Sequence, residues 1–244
     1  MGIGGILGTS EWHAHSWNHE GDPMADPHFA KPDRYKLDSY KTYNFKWTHT
    51  YDSCVLLPLF GISRWDASVV KELTPGIDSV DILDAGCATG RLIAALYDAG
   101  AKNVSGTDLA PRILDVARQK LTARGMNPDL RAADVEDHIP WPDASFDVVT
   151  LSGVFHHLMR PKDALLEISR LLRSRGRLIL LDPWFVPPIR QAMNLYLRFR
   201  PAAGDCRYYS PSEVAGILSS LGWQGIRSTR ACWSGFMICA ERPE

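Results

Sequence analysis

Between Val80 and Asp182 the chain alternates short apolar runs with stretches of helical periodicity, and this alternation restricts the possible folds more than any other feature. The runs are VDILDAG (Val80–Gly86), NVSGTD (Asn103–Asp108), DLRAAD (Asp129–Asp134), FDVVTLS (Phe146–Ser152) and RLILLD (Arg177–Asp182). Between them Arg91–Ala99, Pro111–Arg124 and Pro161–Leu172 read as helices, two of which begin on the proline that suits a first turn. Near-continuous apolar strands are buried on both faces, as in a parallel sheet covered by helices. A helix near Pro211–Leu221 and two last strands, WQGIRSTRACW and GFMICAE joined at Ser234-Gly235, read as a closing antiparallel hairpin. The layout predicts one α/β domain over residues 76–244 with an insertion at about 183–210, an aromatic-rich helical segment over 31–75, and a flexible extension over 1–30.

The turn after the first strand, ILDAGCATGR, carries the chemistry. Glycines there let the backbone approach a ligand, and the following helix presents unpaired N–H groups. The run Gly86-Cys87-Ala88-Thr89-Gly90 lacks the G-x-G-x-x-G spacing of a dinucleotide site. Asp84 would place a carboxylate where a pyrophosphate would lie; it suits a ligand bearing an ammonium or sulfonium group instead. Asp108 ends the next strand, at the distance where an acidic residue accepts from ribose hydroxyls.

Composition narrows the partners. The 27 Lys+Arg nearly cancel the 28 Asp+Glu, so no global field draws the chain to nucleic acid or a membrane surface. The five cysteines include no C-x-x-C pair, which indicates neither a disulfide framework nor a zinc ribbon, and a reducing compartment is expected. The N-terminus has no basic residue before its short apolar stretch, and no run is long enough to span a bilayer. A cytoplasmic location without stable membrane insertion follows as the expectation. His13, His15, His19 and His28 lie in the extension without a cysteine beside them; they read as part of a loose arm, and no metal site is expected.

Taken together, LDAGCATGR, GTDLAP, AADVEDHIPWPDASFDVVTLSGVFHHL and LLRSRGRLILLDPW resemble the class I S-adenosylmethionine-dependent methyltransferases in order and spacing over roughly residues 80–185. The resemblance implies a Rossmann-like seven-stranded sheet, mostly parallel with an antiparallel last strand and helices on both faces. It implies S-adenosyl-L-methionine as cofactor, with Asp84, Gly86, Cys87 and Gly90 bordering the methionine end. Asp108 would take the ribose hydroxyls and Leu109 pack on the adenine. Asp134 would accept from the adenine amino group beside Val135, and Ser152 would line the turn below the methyl group. Cys87 is expected to contribute backbone rather than a reactive thiol.

SGVFHHL is similar to the small-molecule branch of that family, which includes quinone C-methyltransferases, and it stands where base-modifying enzymes carry a different loop. The expected partner is therefore a small aromatic, quinone-like or lipid-like acceptor rather than nucleic acid, and a homodimer is possible. A base is needed only where the acceptor must lose a proton. His156 is the first candidate, followed by His157 and Tyr208, and each could equally be structural. Trp184, Phe185, Tyr196, Phe199, Tyr208 and Tyr209 in the insertion either form an aromatic roof or pack one extra helix, and Arg190, Arg198, Arg200 and Arg207 form an acidic-acceptor clamp or a solvated face. The aromatics of the 31–75 segment either pack on the domain or close over the ligand. The alternative function is a non-catalytic S-adenosylmethionine-binding or scaffold protein on the same fold.

Overall fold

A computed structural model describes residues 34–46, 48, 50–52, 61–199 and 204–244. The four N-terminal histidines, Cys54 and Arg200 lie outside the described residues. In chain order the strands are β1 (Asp81–Ala85), β2 (Asn103–Asp108), β3 (Asp129–Ala132), β4 (Phe146–Ser152), β5 (Leu172–Pro183), β6 (Gln224–Cys232) and β7 (Gly235–Glu241). They form one sheet of order β3-β2-β1-β4-β5-β7-β6. The first five are mutually parallel, β7 runs antiparallel to β5, and β6 runs antiparallel to β7. This is the Rossmann-like architecture expected from the sequence.

The helices are α1 (Arg34–Lys41), continued by a π-turn over Thr42–Lys46, then α2 (Ile62–Leu73), α3 (Arg91–Asp98), α4 (Pro111–Thr122), α5 (Pro161–Leu171), α6 (Pro187–Phe199) and α7 (Pro211–Ser220). Both faces of the sheet are covered because successive strand residues point to opposite sides. Leu83, Leu151 and Leu180 meet α5 and α7 in one core, while Ile82, Val148 and Ile179 meet α2, α3 and α4 in the other. Trp65, Val69 and Leu73 of α2 are buried in that second core, and Arg34–Glu244 form one compact unit. No helix among the described residues is long and apolar enough to cross a membrane.

Three local outcomes differ from the sequence reading. β3 stops at Ala132, because the Glu136 N–H donates to Asp134 Oδ1 at 2.9 Å and turns the chain before Asp134 can extend the strand. β5 begins at Leu172, five residues before the apolar run, where Leu172 pairs with Phe146. The hairpin loop is Trp233-Ser234, and Gly235 already belongs to β7. Its lack of a side chain serves packing instead: a Cβ there would lie 2.4 Å from Trp65 Nε1.

Candidate active site

β1 sits where the strand order reverses, between β2 and β4, so a crevice opens beyond the carboxyl ends of these strands. Asp84 lies opposite Gly106 on β2 and Thr150 on β4, while Asp108 ends β2 just beyond the Ala85–Thr107 pair. The turn between strand and helix is held by its backbone: the Gly86 and Cys87 N–H groups both donate to the Thr107 carbonyl, at 2.7 and 2.9 Å. Gly86 has φ +79°, and a Cβ there would meet Val154 Cγ2 at 2.3 Å. Gly90, at φ +71°, ends the turn away from the cavity walls, where a Cβ would strike Leu121.

Asp84 is buried and Asp108 half-buried. Asp84 is 2 % exposed and its Oδ1 accepts from the Thr150 hydroxyl at 2.7 Å. Asp108 Oδ2 accepts from the Ala88 N–H and its Oδ1 from the Ala110 N–H, both at 2.9 Å. Burial dominates: it lifts Asp84 to about 7 against the Thr150 bond, with the Asp108 charge adding to the rise. Burial likewise lifts Asp108 to about 6 against its two backbone donors. Among the described residues neither makes an ion pair, and so the pair is electrostatically suited to a cationic ligand. Burial, then these two carboxylates, push the Cys87 thiol well above its ordinary value, so it is an inert packing group.

A cavity of about 710 Å³, counted with its open mouth, runs from this turn across the strand ends. Asp108 and Leu109 stand on one wall, Asp134 and Val135 on another, and Ser152 and Gly153 form part of its floor. A smaller compartment of about 290 Å³ adjoins it, lined by Asp84, Gly86, Cys87 and Ser152. Ser152 Oγ is buried without a hydrogen-bond partner, as a hydroxyl awaiting a ligand would be. Asp134 is bridged by Lys36, which also reaches Glu136 at 3.2 Å.

Lys36, Ser39, Tyr43 and Tyr51 of the N-terminal segment line the cavity. The insertion behaves otherwise. Tyr196 and Phe199 are 57 % and 73 % exposed, Tyr209 packs edge-on against Phe155 in the core, and Trp184 lies under the Arg230 guanidinium. None of the six insertion aromatics lines this cavity. Arg190 and Arg207 both reach Glu213, at 3.8 and 2.6 Å.

The acceptor-side candidates gather where β4 ends in a short 3₁₀ turn, Phe155–His157. His157 is on the cavity wall; His156 stands behind it, with Nδ1 2.8 Å from Asp182 Oδ1 and its ring stacked 5.4 Å from that of Tyr208. Asp205, unremarked in the sequence, joins them: its Oδ1 lies 3.2 Å from His157 Nδ1 and 3.7 Å from His156 Nε2, and its Oδ2 accepts from the Tyr208 hydroxyl at 2.5 Å. His157 Nε2 lies 3.3 Å from the Tyr43 hydroxyl. Burial, helped by His156, drives His157 down to about 3. For His156 burial alone would lower the pKa, but Asp182 and Asp205 outweigh it and the net direction is up. Burial and the Asp205 charge hold the Tyr208 phenol far above its ordinary range.

Residues 83–180 match the family model described as a methyltransferase domain. Over 118 residues the chain is 38 % identical to a demethylmenaquinone methyltransferase of Thermus thermophilus, covering 48 % of this chain and 52 % of that protein. It is 28 % identical over 169 residues to a ubiquinone biosynthesis O-methyltransferase of Actinobacillus pleuropneumoniae, covering 68 % of each. The chain spans about half the length of the first of these relatives. A crystal structure of a SAM-dependent methyltransferase from Aquifex aeolicus superposes with a TM-score of 0.59 at 22 % identity, over 72 % of this chain and 89 % of that one, and shows the shared fold.

Proposed function

We propose that this chain, which carries a methyltransferase domain on the class I fold, binds S-adenosyl-L-methionine at the ends of β1, β2 and β4 and methylates a small-molecule acceptor seated beside His157. The observation that carries the reading is the pair Asp84 and Asp108: two carboxylates at consecutive strand ends, one buried and one half-buried, both with raised pKa, facing adjoining compartments of one crevice. Such a pair gains most from a ligand with a positive charge at one end and hydroxyls to donate at the other.

Asp84 is assigned the ligand ammonium, directly or through water, and Asp108 the ribose hydroxyls. Each Asp108 oxygen already accepts one backbone N–H and keeps a further lone pair for a hydroxyl. Leu109 and Val135 would sandwich the adenine, and Asp134, steadied by Lys36, would accept from its amino group. Gly86 and Cys87 supply backbone, Gly90 the packing of α3 on α4, and the unpartnered Ser152 hydroxyl a contact near the reacting end.

When bound, the cofactor supplies a methyl carbon made electrophilic by its sulfonium, so the protein's task is to orient a nucleophile and exclude water. Tyr43 and Tyr51 close the cavity over that position, and His157 presents its ring to the acceptor. The acceptor is assigned as a planar phenol or quinone-like molecule rather than a nucleic acid. This follows the names of the two curated relatives and the near-balanced charge. Titration calorimetry with S-adenosylhomocysteine tests the cofactor assignment: saturable one-site binding, lost in Asp108→Ala, is expected, and no binding to the wild-type chain overturns it. The scaffold alternative predicts binding but no transfer to any phenolic or quinol acceptor.

A further inference from the structure

His156, His157 and Asp205 share a feature that the methyl-transfer reading does not require. One ligand atom from each lies within 4.8 Å of the others. The two carboxylate-to-imidazole spacings are 3.7 and 3.2 Å. Metal–ligand bonds of about 2.0–2.2 Å at tetrahedral angles separate ligand atoms by roughly 3.4 Å, close to both carboxylate-to-imidazole spacings.

The outward atoms of the same three side chains are already engaged. His156 Nδ1 is fixed by the buried Asp182, which leaves Nε2 facing Asp205. This carboxylate–histidine arrangement is the one that orients imidazoles on metals. Asp205 Oδ2 is held by Tyr208, and His157 Nε2 by Tyr43. The inward His157 Nδ1 is buried, 3.2 Å from Asp205 Oδ1.

Two elements outside the sheet bring Asp205 into place. The Cys206 and Arg207 N–H groups donate to the His156 carbonyl at 2.8 and 3.1 Å. Asn194 of α6 brackets the Tyr208 backbone with two bonds, and Asp38 of α1 accepts from the Gly204 N–H at 3.0 Å. The loop is thus bolted to the histidine turn from several sides, as a preorganised ligand set requires.

We propose that His156 Nε2, His157 Nδ1 and Asp205 Oδ1 bind a divalent transition-metal ion of the zinc class behind the part of the cavity wall that His157 forms, with one coordination position left for a hydroxyl oxygen of the acceptor. Two imidazoles and one carboxylate suit such an ion and leave a position free. An ion held by these three side chains would lower the pKa of a hydroxyl bound to it, so that the hydroxyl could give its proton to water near neutral pH. The acceptor class is then a phenol or enol. That last assignment rests on the methyl-transfer reading, whereas the metal site does not.

The test uses the full chain, stripped with a chelator and titrated with Co²⁺ and then Zn²⁺. One equivalent of Co²⁺ with visible ligand-field absorption, displaced by Zn²⁺, is expected. Asp205→Asn and His156→Gln should abolish it, and Asp182→Asn, which keeps all three ligands, should weaken it about 10- to 100-fold. Circular dichroism and S-adenosylhomocysteine affinity are followed in each sample to separate a folding defect from a ligand defect. No bound Co²⁺ in wild type overturns the site, as does Co²⁺ retained in an Asp205→Asn/His157→Gln double variant, which would place the ion elsewhere, for example on the N-terminal histidines. Catechol, added to the Co²⁺ form, should shift the absorption; an unchanged spectrum overturns the acceptor assignment. Loss of S-adenosylhomocysteine binding with the metal retained would instead overturn the methyl-transfer reading alone.

Discussion

Thr150 and Asp84 face each other in register across β4 and β1, and the threonine hydroxyl donates to Asp84 Oδ1 at 2.7 Å inside the protein. This bond favours the ionised carboxylate against a burial that has carried its pKa to about 7. Thr150→Val keeps the shape and removes the donor. A hydrogen bond to a charged group contributes about 1.5–3 kcal/mol, so S-adenosylhomocysteine should bind roughly 10- to 100-fold more weakly near neutral pH. Part of the loss should return in calorimetry at higher pH, where Asp84 ionises without help. Unchanged affinity would mean Asp84 does not hold the ligand's charge.

The same carboxylates set a pH dependence. Folded Asp84 and Asp108, at about 7 and about 6, bind protons more tightly than in the unfolded chain, where carboxyls titrate near about 3.9. Their contribution to stability is therefore fully present below about 4 and is lost as pH rises through 6 to 7 in the ligand-free protein. A cationic ligand reverses the preference by favouring the ionised forms. Binding should release protons to the buffer, and affinity should climb from pH 5 to about 7 before levelling. Calorimetry in buffers of different ionisation enthalpy measures the release directly, and zero release throughout that window would contradict the assignment.

Gly86 is required on two counts, its φ of +79° and the 2.3 Å approach a Cβ would make to Val154 Cγ2. Gly86→Ala should cost about 2–4 kcal/mol in chemical denaturation, from left-handed strain and overpacking together. Adding Val154→Ala removes only the collision, so the double variant should recover about half of the loss. Full recovery would show that the backbone conformation costs nothing.

What the sequence made legible follows from locality. Apolar runs such as FDVVTLS announce buried parallel strands, and once β1 and β2 are parallel neighbours Asp84 and Asp108 must end side by side. The acceptor side depends on approaches that no local pattern encodes. Asp205 lies in a loop with no periodicity, and its place is set by backbone bonds to His156 and by Asn194, distant in sequence. Asp182 was visible only as the end of an apolar run, although it fixes the ring of His156. Tyr196 and Phe199 resembled roof residues by composition, yet α6 buries Leu197 and turns them outward, and Tyr43 and Tyr51 take the cover from the other end of the chain.

That role for α6 can be tested apart from the cofactor. Asn194 donates to the Tyr208 carbonyl at 2.9 Å and accepts from its N–H at 2.8 Å, closing a ring between the helix and the loop that carries Asp205. Asn194→Leu keeps the bulk and leaves both backbone groups of a residue only 8 % exposed without partners. An unsatisfied buried polar group costs about 1–3 kcal/mol, enough for the loop to open locally before the sheet does. Hydrogen exchange at residues 205–208 should therefore rise by one to two orders of magnitude, on the order expected from that cost. Exchange in β1 and β4, and affinity for S-adenosylhomocysteine, should stay as in wild type, because Asp84, Asp108 and Ser152 are held by the sheet rather than by α6. If cofactor affinity fell together with loop protection, the insertion would be part of the cofactor cleft and the division between the two halves of the site would be wrong.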